Sequence, residues 1–252
     1  MTIYKYIPNA ITMGNLFSGC MAVLFAVNDR MEYAAAFVVL GIIFDFFDGF
    51  FARLFNVQSE VGLQLDSLAD MVTSGLVPGI VMYKLILHAD GLPWGGDFQA
   101  QGSMLAYLGF AITLASAYRL AKFNVDDRQT GSFIGLPTPA NTLFILSLPL
   151  ILKYGELAFL PDGQAGVKAA LENVYVLLAV TAVSCYILNA ELPLFSLKMK
   201  SWGIKENAVR YLFLLVSVIL IFTMHFVAMP VIILLYVLFS LLFPEKKKKE
   251  LA

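Results

Sequence analysis

Apolar residues run along most of this chain in segments separated by short polar stretches. A transmembrane helix needs about 20 predominantly apolar residues to cross a bilayer. Segments close to that length occupy residues 11–27, 33–53, 66–88, 104–122, 138–153, 171–189, 209–224 and 227–243. The fifth is short, and almost nothing separates the last two. The pattern predicts an all-α fold, a polytopic membrane helix bundle of about eight transmembrane helices.

Composition agrees with this prediction. Hydrophobic residues make up 60% of the 252 residues and charged residues only 14%, whereas soluble domains carry about 25% charged residues. We therefore expect a single integral-membrane domain over residues 1–252. Within it, residues 1–10 form an interfacial lead-in and residues 244–252 form a basic cytoplasmic tail. We expect membrane lipid as a partner and no nucleic acid.

The positive-inside rule orients the helices. With the N-terminus inside, four of the 17 Lys and Arg residues fall outside, namely Arg30, Lys84, Lys153 and Lys168. The other thirteen fall on the cytoplasmic side and are Lys5, Arg53, Arg119, Lys122, Arg128, Lys198, Lys200, Lys205, Arg210 and Lys246 to Lys249. Both termini are therefore predicted to be cytoplasmic, in the inner cell membrane.

One block of acidic residues interrupts the apolar pattern at the cytoplasmic end of the second and third predicted helices. It contains Asp45, Asp48, Asp66 and Asp70. A charged side chain near the centre of a bilayer costs roughly 2.5–3.5 kcal/mol on insertion scales, and less toward the interface. Four aspartates at such a position need compensation, and a divalent cation is the most economical source of it.

Helical spacing places the four carboxylates in one pocket. Asp45 and Asp48 are three residues apart, and Asp66 and Asp70 are four apart, so each pair shares one helix face. Two antiparallel helices with these faces opposed would bring the carboxylates together. Hard oxygen ligands suit Mg²⁺ or Mn²⁺, and two divalent ions would balance four carboxylates and hold a pyrophosphate.

Small and basic residues in the same block favour a phosphate ligand. Gly49 and Gly62 allow a ligand or a neighbouring helix to approach closely. Arg53 is suited to bind a phosphate oxygen. The alternatives are a structural charge cluster or a cation transporter with an acidic ion pathway. A transport site has no need of these two glycines and Arg53, which therefore count against it.

The block resembles the signature of the CDP-alcohol phosphotransferase family, D-x2-D-G-x2-A-R-x8-G-x3-D-x3-D, at every fixed position. The resemblance implies an enzyme that transfers a phosphatidyl group from a CDP-linked lipid to an alcohol and releases CMP. It also implies that Asp45, Asp48 and Asp66 are metal ligands. Asp70 would lie at the same metal centre and act as the base for the acceptor hydroxyl. The signature residues that would line the cytidine and diphosphate site are Asp48, Gly49, Ala52, Arg53 and Gly62.

Three other stretches resemble the phosphatidylserine synthase branch of this family. They are the run from Pro8 to Gly19, the run from Arg119 to Val125 and the run from Gly135 to Pro139. The resemblance implies CDP-diacylglycerol and L-serine as substrates and a homodimer as the assembly. Glycerol 3-phosphate and inositol remain alternative acceptors. Members that use glycerol 3-phosphate often carry an arginine shortly after the Asn-x-x-Thr element, where this chain has Gly14, Asn15 and Leu16.

Two further sets of polar residues are candidates for substrate contacts. Asn9, Thr12 and Asn15 recur at three-residue spacing on one face of the first helix, where they either contact the nucleotide or join helices. The carboxylate of serine requires a cation, and the candidates at the end of the fourth helix are Arg119, Lys122 and Asn124. The two basic residues among them also obey the positive-inside rule without any binding role.

Overall fold

The structure is a computed structural model that describes residues 4, 6–94, 104–126, 133–155, 161–194, 203 and 207–242. Its described part is a helix bundle with one short pair of strands. The helices are α1 (Tyr6–Val27), α2 (Met31–Leu54), α3 (Glu60–Asp70), α4 (Val77–Ala89), α5 (Ala111–Val125), α6 (Thr138–Tyr154), α7 (Pro161–Leu171), α8 (Val174–Asn189), α9 (Ala208–Met224) and α10 (Ala228–Leu242). A π-helical turn, Met71–Leu76, joins α3 to α4, and a 3-10 segment, Met104–Phe110, precedes α5.

Each apolar segment of the sequence coincides with a helix, which confirms the all-α membrane architecture. Within the described ranges, five helical stretches are long and apolar enough to cross a membrane, or six if the bent pair Ala165–Leu171 and Val174–Asn189 forms one span. Helix α6, with 17 residues, is not among these stretches. The stretch Ala208–Leu242 contains both α9 and α10, with His225 at φ 48° between them. The number of eight spans therefore stays a prediction.

The chain ends differ in how far the structure describes them. Helix α1 begins at Tyr6, so half of the predicted lead-in 1–10 is already helical. The basic tail 244–252 lies outside the described residues.

A buried ion pair fixes the end of the bundle where α1 turns into α2. Asp29 lies in this turn with φ 58°, and its carboxylate accepts a hydrogen bond of 3.0 Å from Lys84 Nζ on α4. Both side chains are less than a tenth exposed. Breaking a buried pair leaves an uncompensated charge, so this contact holds α4 against the α1–α2 hairpin. The acidic block lies toward the other end of the same hairpin.

Of the five stretches long enough to cross a membrane, the one from α3 to α4 is the most enclosed, because 72% of its most apolar 18 residues are buried. Its π-helical turn begins directly after Asp70. Hydroxyls of neighbouring helices donate to carbonyls of this turn, Thr142 to Ser74 O at 2.8 Å and Thr113 to Gly75 O at 3.0 Å. π-helical turns are rare and are often found at functional sites. The turn therefore gives the acidic block a well-supported wall.

Two glycines let α1 and α2 approach the π-helical turn closely. A Cβ on Gly19 would lie 2.4 Å from Thr73 Oγ1, and a Cβ on Gly41 would lie 2.7 Å from Thr73 Cγ2 and 2.8 Å from Asn15 Oδ1. Real Cβ atoms do not come so close to other atoms. Side chains at these positions would force the helices apart directly behind the acidic block.

We expect Gly41→Ala to destabilise the protein by about 1–3 kcal/mol, because the added methyl group overpacks the contact with Thr73 and Asn15. The added methyl group should also displace Asn15, whose Oδ1 would lie 2.8 Å from it. Gly166→Ala is the matched control, because a Cβ on Gly166 meets no atom within 4 Å. Thermal unfolding in detergent measures the difference. Equal melting temperatures for the two variants would contradict this packing.

The strand pair joins the beginning of α6 to the end of α8. Strands β1 (Phe133–Ile134) and β2 (Pro193–Leu194) pair antiparallel. Gly135 follows β1 with φ 75°, and a Cβ there would lie 2.6 Å from Leu188 O. Its N–H donates to Leu192 O at 3.0 Å. A glycine is therefore required here, and the contact brings the first turn of α6 beside the last turn of α8.

Candidate active site

Three aspartates of the signature form a compact group of carboxylates. Asp45 and Asp48 come from α2, and Asp66 comes from α3. Ligand oxygens of the three lie within 4.8 Å of one another. This is the arrangement that the helical spacing predicts, with the acidic faces of two neighbouring helices opposed. Asp70 lies outside this 4.8 Å group but interacts electrostatically with Asp45, Asp48 and Asp66, so its place at the metal centre stays a prediction.

Side chains of α1 hold two of the aspartates. Thr12 Oγ1 donates to Asp48 Oδ2 at 2.6 Å, and Asn15 Nδ2 donates to Asp70 Oδ1 at 3.1 Å. Asn15 is itself oriented, because Thr73 Oγ1 donates to Asn15 Oδ1 at 2.8 Å. Asp48 and Asn15 are buried. Thr73 in the π-helical turn therefore orients Asn15, and Asn15 in turn holds Asp70 in place.

The carboxylate group fits a divalent cation. Asp66 Oδ1 is buried, and no described residue donates a hydrogen bond to it. A buried carboxylate oxygen without a partner is costly. Three carboxylates this close also repel one another unless protons or cations offset their negative charge. The donor set consists of hard oxygen atoms, which suit Mg²⁺ or Mn²⁺.

A cavity of about 480 Å³ opens beside these carboxylates. It lies between the N-terminal end of α1, the C-terminal end of α2 and the beginning of α3. Its lining residues are Pro8, Asn9, Thr12, Asp48, Gly49, Ala52, Arg53, Val57, Gln58, Ser59, Glu60, Gly62, Leu63 and Asp66. Every residue that the sequence suggests for the CDP-lipid is in this set except Asn15, which lies deeper and contacts Asp70 and Thr73.

The two signature glycines shape the cavity walls. A Cβ on Gly49 would lie 3.3 Å from a guanidinium nitrogen of Arg53, and a Cβ on Gly62 would lie 3.3 Å from Asn9 Oδ1. Gly62 N also donates to Ser59 Oγ at 3.1 Å, so Ser59 is the N-cap of α3. The N-terminus of α3 therefore faces the cavity, and helix N-termini favour anions such as phosphate.

The three candidates for serine contacts lie in different surroundings. Arg119 is buried at 7% exposure and interacts electrostatically with Asp70. The Lys122 ammonium lies 3.6 Å from a carboxylate oxygen of Glu191. Asn124 Oδ1 accepts a hydrogen bond of 3.1 Å from Ser67 on α3. The structure thus brings Arg119 to the acidic site, while Lys122 and Asn124 are engaged with neighbouring segments.

Some site residues are not evident from the signature. Ser59 follows a helix N-cap pattern that could have been found in the sequence. Thr73 and Glu191 carry no such signal, because their roles depend on which helices pack together.

Comparison of the sequence with known proteins identifies its family. A model of the CDP-alcohol phosphatidyltransferase family matches residues 5–182. The chain belongs to this family. The match contains α1 to α7 and the first half of α8, and hence the aspartates, the cavity and Arg119. Helices α9 and α10 lie beyond the part of this phosphatidyltransferase that the family model covers.

Curated relatives of this phosphatidyltransferase carry one common name. A CDP-diacylglycerol--serine O-phosphatidyltransferase of Bacillus subtilis is 36% identical over 60% of this chain and 82% of its own length. One of Helicobacter pylori is 30% identical over 93% of this chain and 89% of its own length. One of Saccharomyces cerevisiae is 32% identical over 60% of this chain and 55% of its own length. The similarity to the Helicobacter pylori protein extends over nearly the whole chain.

Proposed function

We propose that this protein transfers a phosphatidyl group from CDP-diacylglycerol to L-serine, forming phosphatidylserine and CMP. The observation that carries the proposal is the complete acidic signature, which lies beside a cavity lined by its own glycines and arginine. The names of the relatives in bacteria and yeast support serine as the acceptor.

The cavity residues bind the nucleotide end of the donor. Arg53 pairs with a phosphate oxygen of the diphosphate, and the N-terminus of α3 adds backbone dipoles of favourable sign. Gly49 and Gly62 leave room for the ligand between α2 and α3. Asn9 and Thr12 complete the wall on α1, and Thr12 also holds Asp48. The acyl chains of the donor remain in the lipid.

Asp45, Asp48 and Asp66 are the residues that would hold Mg²⁺ or Mn²⁺, and two divalent ions match the charge of the site once Asp70 is counted. Held there, such ions would supply positive charge to the phosphoryl group and to the departing CMP. The family depends on metal ions in general. The choice of ion and the number of ions belong to this proposal.

Asp70 acts as the general base. A serine hydroxyl is a poor nucleophile at neutral pH, so a positioned base is needed. Asp70 takes the hydroxyl proton, the serine oxygen forms a bond to the phosphorus of the phosphatidyl group, and the bond from that phosphorus to the CMP oxygen breaks. Asn15 keeps the Asp70 carboxylate oriented. Arg119 binds the serine carboxylate. Lys122 and Asn124 stabilise the neighbouring chain segments through their contacts with Glu191 and Ser67.

The proposed topology places this chemistry at the cytoplasmic surface of the inner membrane. The cavity is built from the N-terminal end of α1 and the C-terminal end of α2, the end that the positive-inside rule assigns to the cytoplasm. Water-soluble serine and CMP would then exchange there, while the lipid enters laterally. Eight crossings, cytoplasmic termini and a homodimeric assembly complete the proposal.

The acceptor is tested with purified protein, CDP-diacylglycerol and a panel of labelled alcohols containing L-serine, glycerol 3-phosphate and inositol. We expect label from serine in the lipid product, with at least about a hundredfold preference over the other two. Incorporation of glycerol 3-phosphate in place of serine would keep the reaction class and overturn the acceptor.

A further inference from the structure

A second group of buried polar side chains lies outside the nucleotide cavity. It consists of Ser74, Ser116, Arg119, Asn141 and Asn189, and is named here the inner polar cluster. Each has one buried side-chain N or O atom with no hydrogen-bond partner in the described part of the chain. Buried polar groups are nearly always paired, so five such atoms in one region indicate a polar ligand.

Contacts between neighbouring segments place the members of the inner polar cluster side by side. Asn189 Nδ2 donates to Ala115 O at 3.1 Å, next to Ser116 on α5. A Cβ on Gly75 would lie 3.4 Å from Ser116 Cβ, so Ser74 and Ser116 belong to touching segments. Thr142 Oγ1 donates to Ser74 O, and Thr142 directly follows Asn141. Ser74, Ser116 and Asn141 therefore lie on segments that meet at the π-helical turn after Asp70, and Asn189 joins them through α5.

Arg119 links the inner polar cluster to the reaction centre. It is three residues after Ser116, on the same face of α5. Its guanidinium interacts electrostatically with Asp70, the proposed base. A ligand bound by the cluster can therefore present a neighbouring hydroxyl to Asp70. This position suits the acceptor alcohol rather than the CDP-lipid, to which the nucleotide cavity is assigned.

The unpartnered atoms also indicate the charge pattern of the ligand. Arg119 Nε and Asn141 Nδ2 are donors, and Asn141 is only 1% exposed. Asn189 Oδ1 is an acceptor, and its orientation is fixed because Nδ2 donates to the carbonyls of both Ala115 and Cys185. A carboxylate needs donors and an ammonium needs acceptors. A phosphate monoester would use the donors and leave Asn189 Oδ1 without a partner.

We infer that the inner polar cluster is the head-group subsite of the acceptor, with Asn141 and Asn189 as specificity-determining residues for an α-amino acid. Asn141 and Arg119 bind the carboxylate, and Asn189 accepts a hydrogen bond from the ammonium group. This inference rests on the proposed function, since it assigns recognition of serine to residues outside the acidic signature. It also predicts selection against glycerol 3-phosphate and inositol, which lack an ammonium group.

The test uses Asn141→Leu and Asn189→Leu, which keep the approximate shape and remove the polar atoms. We expect the KM for L-serine to rise about tenfold or more in each variant, as for loss of a hydrogen bond to a charged group. The KM for CDP-diacylglycerol and kcat at saturating serine should change less than about twofold. Inhibition by L-alanine, which has the same head group without the hydroxyl, should weaken in parallel.

Ser147→Ala on α6 and Thr181→Val on α8 are matched controls. Both residues are buried, and their hydroxyls donate to carbonyls of their own helices. We expect wild-type KM values for both. If a leucine variant does not accumulate, Asn141→Ala or Asn189→Ala replaces it.

Two results would overturn the subsite. The first is an unchanged KM for serine in both variants. The second is an equal rise in the KM for serine and for CDP-diacylglycerol, which would indicate a structural role. Either leaves the proposed function intact, because the unchanged protein still forms phosphatidylserine. Failure of the proposed function is a different result, namely no incorporation of serine by the unchanged protein.

Discussion

Replacing Asp70 with asparagine is expected to lower kcat for CMP release at least about a hundredfold, because general-base catalysis contributes about 10²–10⁴ in rate. The substitution preserves size, and the amide oxygen of the introduced side chain can still accept the hydrogen bond that Asn15 now donates to Asp70 Oδ1. The protein should therefore fold and insert. The KM for CDP-diacylglycerol should change little, since Asp70 does not line the nucleotide cavity.

The kinetic parameters of Asp70→Asn are measured by CMP release at varied serine and donor concentrations. Asp90→Asn is the control, because Asp90 caps the far end of α4. A kcat within a few-fold of wild type in Asp70→Asn would remove Asp70 from the role of base. A large fall in melting temperature that accompanies the loss of activity would indicate a structural role instead.

Replacing Asp66 with asparagine should affect the metal rather than the base. Asp66 contributes an oxygen to the three-carboxylate group, and its buried Oδ1 has no partner among the described residues. A neutral amide removes one unit of negative charge from the site. We expect the apparent affinity for Mn²⁺ to fall at least about tenfold. CMP release should then fall by more than this at low metal concentration and recover in part at high metal concentration.

Mn²⁺ binding to Asp66→Asn can be followed by the loss of the free-ion EPR signal, alongside a metal titration of CMP release. Glu172→Gln serves as the control, because Glu172 pairs with Lys168 at 3.9 Å, away from the acidic group. An unchanged Mn²⁺ titration in Asp66→Asn would exclude Asp66 as a ligand.

The parts of the site set by helical spacing could be predicted from the sequence. Asp45, Asp48 and Asp66 converge because residues three or four apart share a helix face. The residues of the nucleotide cavity follow from the same rule and from the family signature. Apolar runs also predicted eight of the helical segments, because runs of this length have few alternatives in a bilayer, whereas α7 (Pro161–Leu171) lies outside these runs except for its last residue.

The parts that depend on packing between distant segments could not be predicted. The sequence leaves open whether Asn15 contacts the nucleotide or joins helices, and only packing shows that it contacts Asp70 and Thr73. It likewise does not show that Lys122 pairs with Glu191, which lies far away in the sequence. The π-helical turn has no sequence signature, and without it the inner polar cluster has no recognisable centre.

We propose that the acidic group is a divalent-metal site for phosphatidyl transfer. The most direct test is CMP release by purified protein in vesicles of CDP-diacylglycerol with L-serine, after chelation by EDTA and after addition of Mg²⁺ or Mn²⁺. We predict that chelation abolishes CMP release and that added metal restores it together with phosphatidylserine. Unchanged release after chelation, or metal flux across the vesicle without any CMP release, would contradict the claim.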